Sequence, residues 1–168
     1  MSATPPAAGL PAPPSGESPA IMALSGEEEA VIRAFGRVMQ VMPRALHAAL
    51  EREQRMSLSE YTVLRMLSEL PDRRLRMSEL AAACDMSLSG MTRLVSKLES
   101  AGLLLRVPCA NDARGANAVL TDAGLARLQQ AWPTHLASVR RHVMDHLDDL
   151  DLGKLAKALE AMAATGQP

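Results

Sequence analysis

Hydroxyl and basic side chains alternate with leucines between residues 87 and 97. At about 100° of rotation per helical residue, Ser89, Thr92, Arg93 and Ser96 share one face, and the leucines share the opposite face. Hydroxyl groups can hydrogen-bond phosphates and base edges, and arginine can bond guanine through two parallel hydrogen bonds. An ordinary amphipathic helix with a solvated polar face has the same pattern. The face therefore indicates DNA binding only together with a second basic element.

A predicted β-hairpin over residues 103–120 supplies that second element. Arg106 lies on the strand that leads into the hairpin, and Arg114 lies beside a glycine at its polar tip. A single arginine on such a tip can enter a narrow minor groove, where the potential is most negative. Asp112 can pair with Arg106 or with Arg114 and so orient the tip, although a surface ion pair adds little stability.

Three histidines raise the question of a metal site. His135, His142 and His146 fall close together on a predicted long helix, and the last two have the i, i+4 spacing that can bind zinc. His47 is the remaining histidine of the chain, and no spacing in the sequence points to it as a fourth ligand. The histidines flank an apolar stripe, which favours half-exposed positions or a pH-sensitive pair. We therefore predict neither a metal site nor a cofactor.

Two cysteines exclude a disulfide scaffold and a four-cysteine zinc site. Cys84 ends a short predicted helix, where a small buried side chain is expected. Cys109 lies beside the hairpin tip and could be exposed. A redox-responsive regulator that uses Cys84 and Cys109 stays open as an alternative.

Helices and their caps must position these groups. A capping box at Ser25 predicts a first helix that runs to about Glu53, with Pro43 expected to kink or split it. Ser59 is predicted to start a second helix, which Pro71 follows. Leu75–Met77 is long enough only for a small strand.

The two short helices that follow are joined by three residues, as in a helix-turn-helix. Ser78 is predicted to cap the first helix, over 79–84, and Ser87 the second, over about 88–100, with Gly102 just past its end. The hairpin comes next, with strands at 103–107 and 116–120.

Thr121 is predicted to cap a long helix whose apolar stripe continues to Leu147, with a possible bend at Pro133. A last helix opens near Leu152. Two long apolar stripes, Val31–Leu50 and Leu125–Leu147, exceed what one small domain can bury, so a second copy of the chain is expected to cover them.

Length and composition limit the classes further. The chain has 168 residues, a net charge of −1 and 2% aromatic residues. Near neutrality excludes a wholly basic nucleic-acid protein, and the scarcity of aromatic rings excludes a reader of single strands by base stacking. Residues 73–114, however, contain seven basic and four acidic side chains. Fifteen of the eighteen cationic residues are arginines. Arginine can bond phosphate and guanine through two hydrogen bonds, but codon usage in a GC-rich genome explains the excess as well.

Other classes lack their sequence features. No apolar run reaches the ~20 residues of a membrane helix, and no secretory signal pattern opens the chain. The expected compartment is the cytoplasm. No metalloprotease motif, phosphate-binding glycine loop or nucleophile elbow is present. We therefore predict that the protein is not an enzyme.

From Leu58 to Met162 the chain resembles the multiple-antibiotic-resistance regulator (MarR) family of bacterial transcription factors. The matching text is LSEYTVLRML, then RMSELAAACDMSLSGMTRLVSKLESAGLLLR, then NDARG and LTDAG. The family's wing often reads Asp-Arg-Arg, whereas Ala113 stands here for the first arginine, which is expected to remove one backbone contact. Pro43 and the proline-rich leader depart from the usual pattern.

The resemblance implies a mainly α fold with a small β-hairpin wing: a winged helix-turn-helix lobe and an intertwined helical dimerisation layer. The proline-, alanine-, glycine- and serine-rich composition predicts a disordered tail (1–24). The resemblance implies a dimerisation helix (25–56), the DNA-binding domain (57–121) and C-terminal dimerisation helices (122–168). By match, the implied DNA-binding residues are Ser78, Ser87, Ser89, Thr92, Arg93, Lys97 and Arg114, with Arg106 and Asp112 supporting them.

The implied function is that of a homodimeric repressor that binds an inverted repeat in double-stranded DNA. A recognition helix (about 88–100) would enter the major groove and a wing (about 103–120) the minor groove. Members of the family often release DNA when a small, frequently aromatic ligand binds between the dimer layer and the DNA-binding lobe. A winged-helix adaptor that binds protein instead of DNA is the other class that stays open.

Overall fold

The computed structural model describes residues 22–109 and 112–165, with residues 112–114 described by their backbone alone. The chain divides into two compact units, Met1–Arg37 and Val38–Pro168. The elements are listed here in chain order: α1 (Gly26–Gln54), α2 (Leu58–Ser68), β1 (Arg74–Arg76), α3 (Met77–Ala83), α4 (Leu88–Ser100), β2 (Leu104–Cys109), β3 (Asp112–Leu120), α5 (Asp122–His142), a 3₁₀ turn (Met144–His146) and α6 (Leu152–Thr165).

The fold is mainly helical with one small antiparallel sheet, as the sequence predicts. The strand order is β1-β3-β2, so the returning strand of the hairpin lies in the middle. Leu75 pairs with Ala118 of β3, and Ala118 pairs on its other side with Arg106 of β2. Because β1 precedes α3 directly, this pairing fixes the start of the helix-turn-helix against the wing.

The hydrophobic core lies where α2, α3, α4 and the N-terminal half of α5 meet the sheet. Leucines and methionines dominate it, and its members from these elements include Leu64, Leu80, Met91, Leu104 and Leu128. The one buried aromatic residue among those described is Tyr61. The core therefore holds the helix-turn-helix and the wing in one rigid frame.

The ends of α4 follow the expected capping chemistry. The Ser87 hydroxyl accepts a hydrogen bond from the Gly90 N–H at 3.1 Å. At the other end, the N–H groups of Gly102 and Leu103 bond the carbonyls of Glu99 and Leu98, each at 2.9 Å. This is a Schellman motif, and the φ of +72° at Gly102 is the left-handed conformation it needs.

The other predicted helix starts are confirmed or wrong according to which side chain makes the N-cap hydrogen bond. The Ser25 capping box is confirmed, because the Ser25 hydroxyl accepts from Glu28 N–H and the Glu28 carboxylate accepts from Ser25 N–H. The start at Ser59 is wrong, since Ser57 caps α2 and forms its own box with Glu60. The cap at Ser78 is also wrong: α3 begins at Met77 after Arg76, which makes no side-chain cap, and Ser78 is exposed in the first turn.

The two prolines do not split their helices. α1 continues through Pro43, and α5 continues through Pro133. The predicted extension of the long helix to Leu147 is wrong, because Val143 leaves helical geometry (φ −127°, ψ −68°) and a 3₁₀ turn follows. The apolar spacing continues past this break, so periodicity alone does not locate it.

The wing strands are longer than predicted. β2 extends to Cys109 and β3 begins at Asp112, with an irregularity in pairing after Pro108. The predicted disordered tail (1–24) falls outside the described residues up to position 21.

Candidate nucleic-acid interface

The outer face of α4 is set by its buried face. Met91, Val95 and Leu98 are buried in the core, which turns the opposite side of the helix outward. Ser89, Thr92 and Arg93 are exposed there, as predicted, and Ser96 is half-buried. Within the described part of the chain, Arg93 forms no ion pair, so its guanidinium can reach toward a groove.

The hydroxyl groups on this face already donate their protons within the helix. Thr92 Oγ1 donates to the Leu88 carbonyl and Ser96 Oγ to the Thr92 carbonyl, each at 2.8 Å. Ser87 Oγ and Ser89 Oγ lie 3.2 Å apart and share one hydrogen bond. A hydroxyl that donates inward keeps lone pairs on its outer side. Thr92 therefore faces outward as an acceptor, which suits an amino group on a base edge.

Three predicted contact regions lie together around one groove. A cavity of about 170 Å³ is lined by Ser78 at the start of α3, Leu88 at the start of α4, and Gly115 and Ala116 on β3. Arg76 also lines it. The predicted phosphate-contacting turn, the recognition helix and the wing are thus brought to a common surface. Arg76 was not predicted as a contact residue, because nothing in the sequence of its short strand indicates that this strand pairs with β3.

Two of the cations predicted to bind DNA form ion pairs within the chain. Lys97 Nζ lies 2.7 Å from Glu60 Oε1 of α2. Arg106 bonds Glu99 of α4 through Nε at 2.8 Å and Nη2 at 2.7 Å. Glu99 is thus the acidic partner that the structure describes for Arg106, and the pairing of Asp112 with Arg106 or with Arg114 stays a prediction. The side chains of Asp112 and Arg114 lie outside the described residues.

The pKa values of these carboxyls follow from their partners. Burial raises the pKa of Glu60, but hydrogen bonds from Lys97 and Ser57 outweigh it and hold that pKa below its ordinary value. The Arg106 side chain and backbone N–H lower the pKa of Glu99. The Glu60 hydrogen bond in turn raises the pKa of Lys97. Glu60, Glu99 and Lys97 are consequently charged at neutral pH.

The histidines do not gather. His135 stacks on Tyr61 with ring centroids 4.3 Å apart, and burial lowers its pKa. His142 ends α5 and His146 lies in the 3₁₀ turn, so the predicted i, i+4 pair does not sit on one continuous helix. Among the described residues, no three potential ligands lie together as a metal site.

The cysteines differ in their surroundings. Cys84 follows the last residue of α3 and is half-buried, less buried than expected, with its Sγ donating to Met66 Sδ at 3.9 Å. Burial raises the pKa of the Cys84 thiol, which disfavours the reactive thiolate. Cys109 is half-buried at the end of β2. Neither cysteine is in a disulfide.

Comparison with known proteins decides the family. A family model described as MarR family matches residues 56–115. The crystal structure of Sco3205, a MarR family transcriptional regulator from Streptomyces coelicolor in complex with DNA, is 33% identical, with a TM-score of 0.78. The match covers 88% of this chain and 92% of Sco3205. This chain belongs to the MarR family.

A second MarR relative supports the assignment. AbsC, a MarR family transcriptional regulator from Streptomyces coelicolor, is 36% identical with a TM-score of 0.76, and the match covers 87% of this chain and 99% of AbsC. CouR from Rhodococcus jostii RHA1, solved bound to p-coumaroyl-CoA, shares the fold at 19% identity, a TM-score of 0.66, and coverage of 82% and 92%. No curated protein sequence matches the chain. Among the described residues, no helix of this MarR protein is long and apolar enough to cross a membrane.

Proposed function

We propose that this MarR-family transcriptional regulator is a homodimeric repressor that binds an inverted repeat in double-stranded DNA. The observation that carries the proposal is the groove that Ser78 at the start of α3, Leu88 at the start of α4 and Gly115 on β3 line together, next to the exposed side of α4. A major groove admits an α-helix, and the first turn of α4 presents Ser87 and Ser89 toward it. Sco3205, a relative at 33% identity, was crystallised with DNA.

In this proposal Ser89, Thr92 and Arg93 contact base edges in the major groove. Ser78 and Ser87 lie at helix starts, where N–H groups attract phosphate. Arg114 on β3 enters the minor groove, and Asp112 supports the wing. Residues 57–121 act as the DNA-binding domain, while 25–56 and 122–168 serve dimerisation.

The homodimer is supported by apolar side chains that one chain leaves in solvent. α6 contains no buried residue over Leu152–Thr165, all of which the structure describes. A helix of this length without tertiary packing is marginal in water. On α1, Val38 and Val41 are 51% and 60% exposed; on α5, Trp132 is 48% exposed. A second copy of the chain would cover these surfaces and place two recognition helices about 34–36 Å apart.

Release of DNA by a small molecule completes the proposal. A cavity of about 220 Å³ lies between α2, α4 and α5, with apolar walls from Met56, Leu98 and Leu103. Its charged walls are the cations Arg55, Lys97 and Arg127 and one carboxylate, Glu60, so the lining has a net positive charge. An apolar or aromatic body with an anionic group fits this lining best. CouR, which shares the fold, was crystallised with p-coumaroyl-CoA. No cofactor and no enzymatic step are part of this proposal, and the cytoplasm stays the predicted compartment.

Two measurements on the full-length chain test this function. Sedimentation at micromolar concentration should give twice the chain mass of 18.0 kDa. Duplex affinity should fall steeply between 50 and 200 mM salt, because phosphate contacts release counterions. A monomer in sedimentation would contradict the dimer. Duplex binding that is absent or insensitive to salt would favour a protein-binding adaptor instead.

A further inference from the structure

The C-terminal half of α4 is fixed by two ion pairs, one on each side. Lys97 bonds Glu60 on α2, and Arg106 of β2 bonds Glu99 on α4. These two cations belong to the set that the family resemblance implies for DNA binding. Their guanidinium and ammonium groups, however, already have strong charged partners within the described chain.

Glu60 ties Lys97 to the start of α2. Its side chain is 7% exposed, while that of Lys97 is 71% exposed. One Glu60 oxygen accepts the Ser57 N–H at 2.7 Å, which completes the capping box of α2, and the other accepts Lys97 Nζ at 2.7 Å. If Lys97 moved to a phosphate, the buried carboxylate would lose its only cationic partner among the described residues. An unpartnered buried charge is strongly disfavoured.

Glu99 links α4 to the wing through more hydrogen bonds than Glu60 makes with Lys97. Its Oε2 accepts both Nε and Nη2 of Arg106, and its Oε1 accepts the backbone N–H of Arg106 at 3.2 Å. The planar guanidinium makes a fork that lysine cannot reproduce. The backbone bond also fixes β2 itself, so the orientation of the wing relative to the recognition helix depends on Glu99.

We propose that Lys97 and Arg106 are positioning residues that orient α4 and the wing through Glu60 and Glu99, and are not DNA contacts. The inference rests on the proposed DNA-binding function of α4. Base reading then belongs to the N-terminal half of α4, from Ser87 to Arg93, which the two ion pairs hold at a fixed angle. Sequence matching alone places Lys97 among the contacts, because Glu60 lies 37 residues away in the chain.

The Lys97 arm is tested by the salt dependence of duplex binding. The tightest duplex recovered from a random pool is titrated with the full-length wild type, Lys97→Met, Glu60→Gln and the double variant. Glutamine at position 60 keeps the capping bond and removes the charge. We expect each single variant to weaken binding by about 2- to 30-fold, the double variant to be no weaker than the singles, and the slope of log K against log salt to stay unchanged.

Arg93→Met serves as the comparison for loss of a proposed base contact, which lowers affinity mainly on the selected duplex. Loss of a phosphate contact instead lowers the salt slope by about 0.9 per phosphate. A lowered slope for Lys97→Met, with unchanged affinity for Glu60→Gln, would overturn the inference. Unchanged affinity for both variants would overturn it as well. Lys97→Met leaves the buried Glu60 carboxylate unpaired, so the double variant, which removes both charges, is the one expected to stay folded if a single variant unfolds.

The Arg106 arm uses the difference between lysine and arginine. Arg106→Lys and Arg106→Gln are expected to weaken duplex binding equally, by about 2- to 30-fold, with the wild-type salt slope, because both lose the fork to Glu99. If Arg106→Lys binds like the wild type and Arg106→Gln lowers the salt slope, Arg106 contacts phosphate and the inference fails. Absence of duplex binding by the wild type would instead refute the proposed function.

Discussion

Replacement of Gly124 by alanine tests how α5 is seated against the wing. A Cβ at Gly124 would lie 2.1 Å from the Leu103 carbonyl oxygen and 2.6 Å from Leu120 Cδ1. Carbon atoms make ordinary contacts near ~3.5 Å, so α5 and the start of β2 must separate by roughly 1 Å. The sequence LTDAG places this glycine in the first turn of α5, where the helix passes directly over a backbone carbonyl.

The separation would also strain the hydrogen bonds at Leu103. Its carbonyl accepts the Thr121 N–H at 3.2 Å and the Thr121 hydroxyl at 3.0 Å. Overpacking typically destabilises by ~1–3 kcal/mol, and weakened hydrogen bonds add about 1 kcal/mol. The helix propensity of alanine returns up to ~1 kcal/mol. We therefore expect Gly124→Ala to lower the free energy of unfolding by about 2–3 kcal/mol.

Denaturant unfolding followed by circular dichroism measures this loss. Wild type and variant are compared at equal concentration, because the stability of the proposed dimer would depend on it. Gly26→Ala is the matched control: it also lies in the first turn of a helix, and no described heavy atom lies within 4 Å of its Cβ position. The control should be as stable as the wild type or up to ~1 kcal/mol more stable, because alanine gains helix propensity there without a clash. A Gly124→Ala variant as stable as the control would show that α5 does not pass closely over the Leu103 carbonyl.

Four further predictions each concern a single side chain. Arg93→Ala should weaken specific binding by about 1–3 kcal/mol and relax specificity at one position per half-site; an equal loss on every duplex would mean that Arg93 holds only phosphate. Arg114→Ala should weaken binding most on A·T-rich flanks, and a loss independent of flank sequence would exclude a minor-groove role. Because the pKa of folded Glu60 lies below its ordinary value of 4.5, its stabilising effect is full above that pH and is lost as pH falls through the folded value. The difference in unfolding free energy between wild type and Glu60→Gln should therefore shrink below pH 4.5, and a constant difference would contradict this ionisation. Alkylation should modify Cys84 more slowly in the folded than in the unfolded protein, as read by mass spectrometry, and equal rates would contradict its burial.

Local chemistry made much of the fold predictable from the sequence. Ser87 and Thr121 cap their helices as predicted, because an N-cap bond involves residues only three positions apart. The Schellman motif at Gly102 follows from the glycine in the same way. The outer face of α4 was predictable too, since helical rotation alone separates Thr92 and Arg93 from the leucines.

Contacts between distant segments could not be predicted. The pairing of Lys97 with Glu60 depends on how α4 packs against α2, and nothing in the spacing of the two residues reveals it. The same holds for β1, which pairs with β3 across more than forty residues. The neighbouring serines at 57 and 59 each fit a cap, and the capping box with Glu60 decides between them only in the folded chain.

Selection of duplexes from a random pool by the full-length protein, at moderate salt, tests the central claim most directly. We expect enrichment of an inverted repeat whose half-site centres lie about one helical turn, 10–10.5 base pairs, apart, with Arg93→Ala losing preference at one position in each half. Recovery of no enriched sequence, or of a single unrepeated site, would contradict a dimeric regulator that reads DNA through α4.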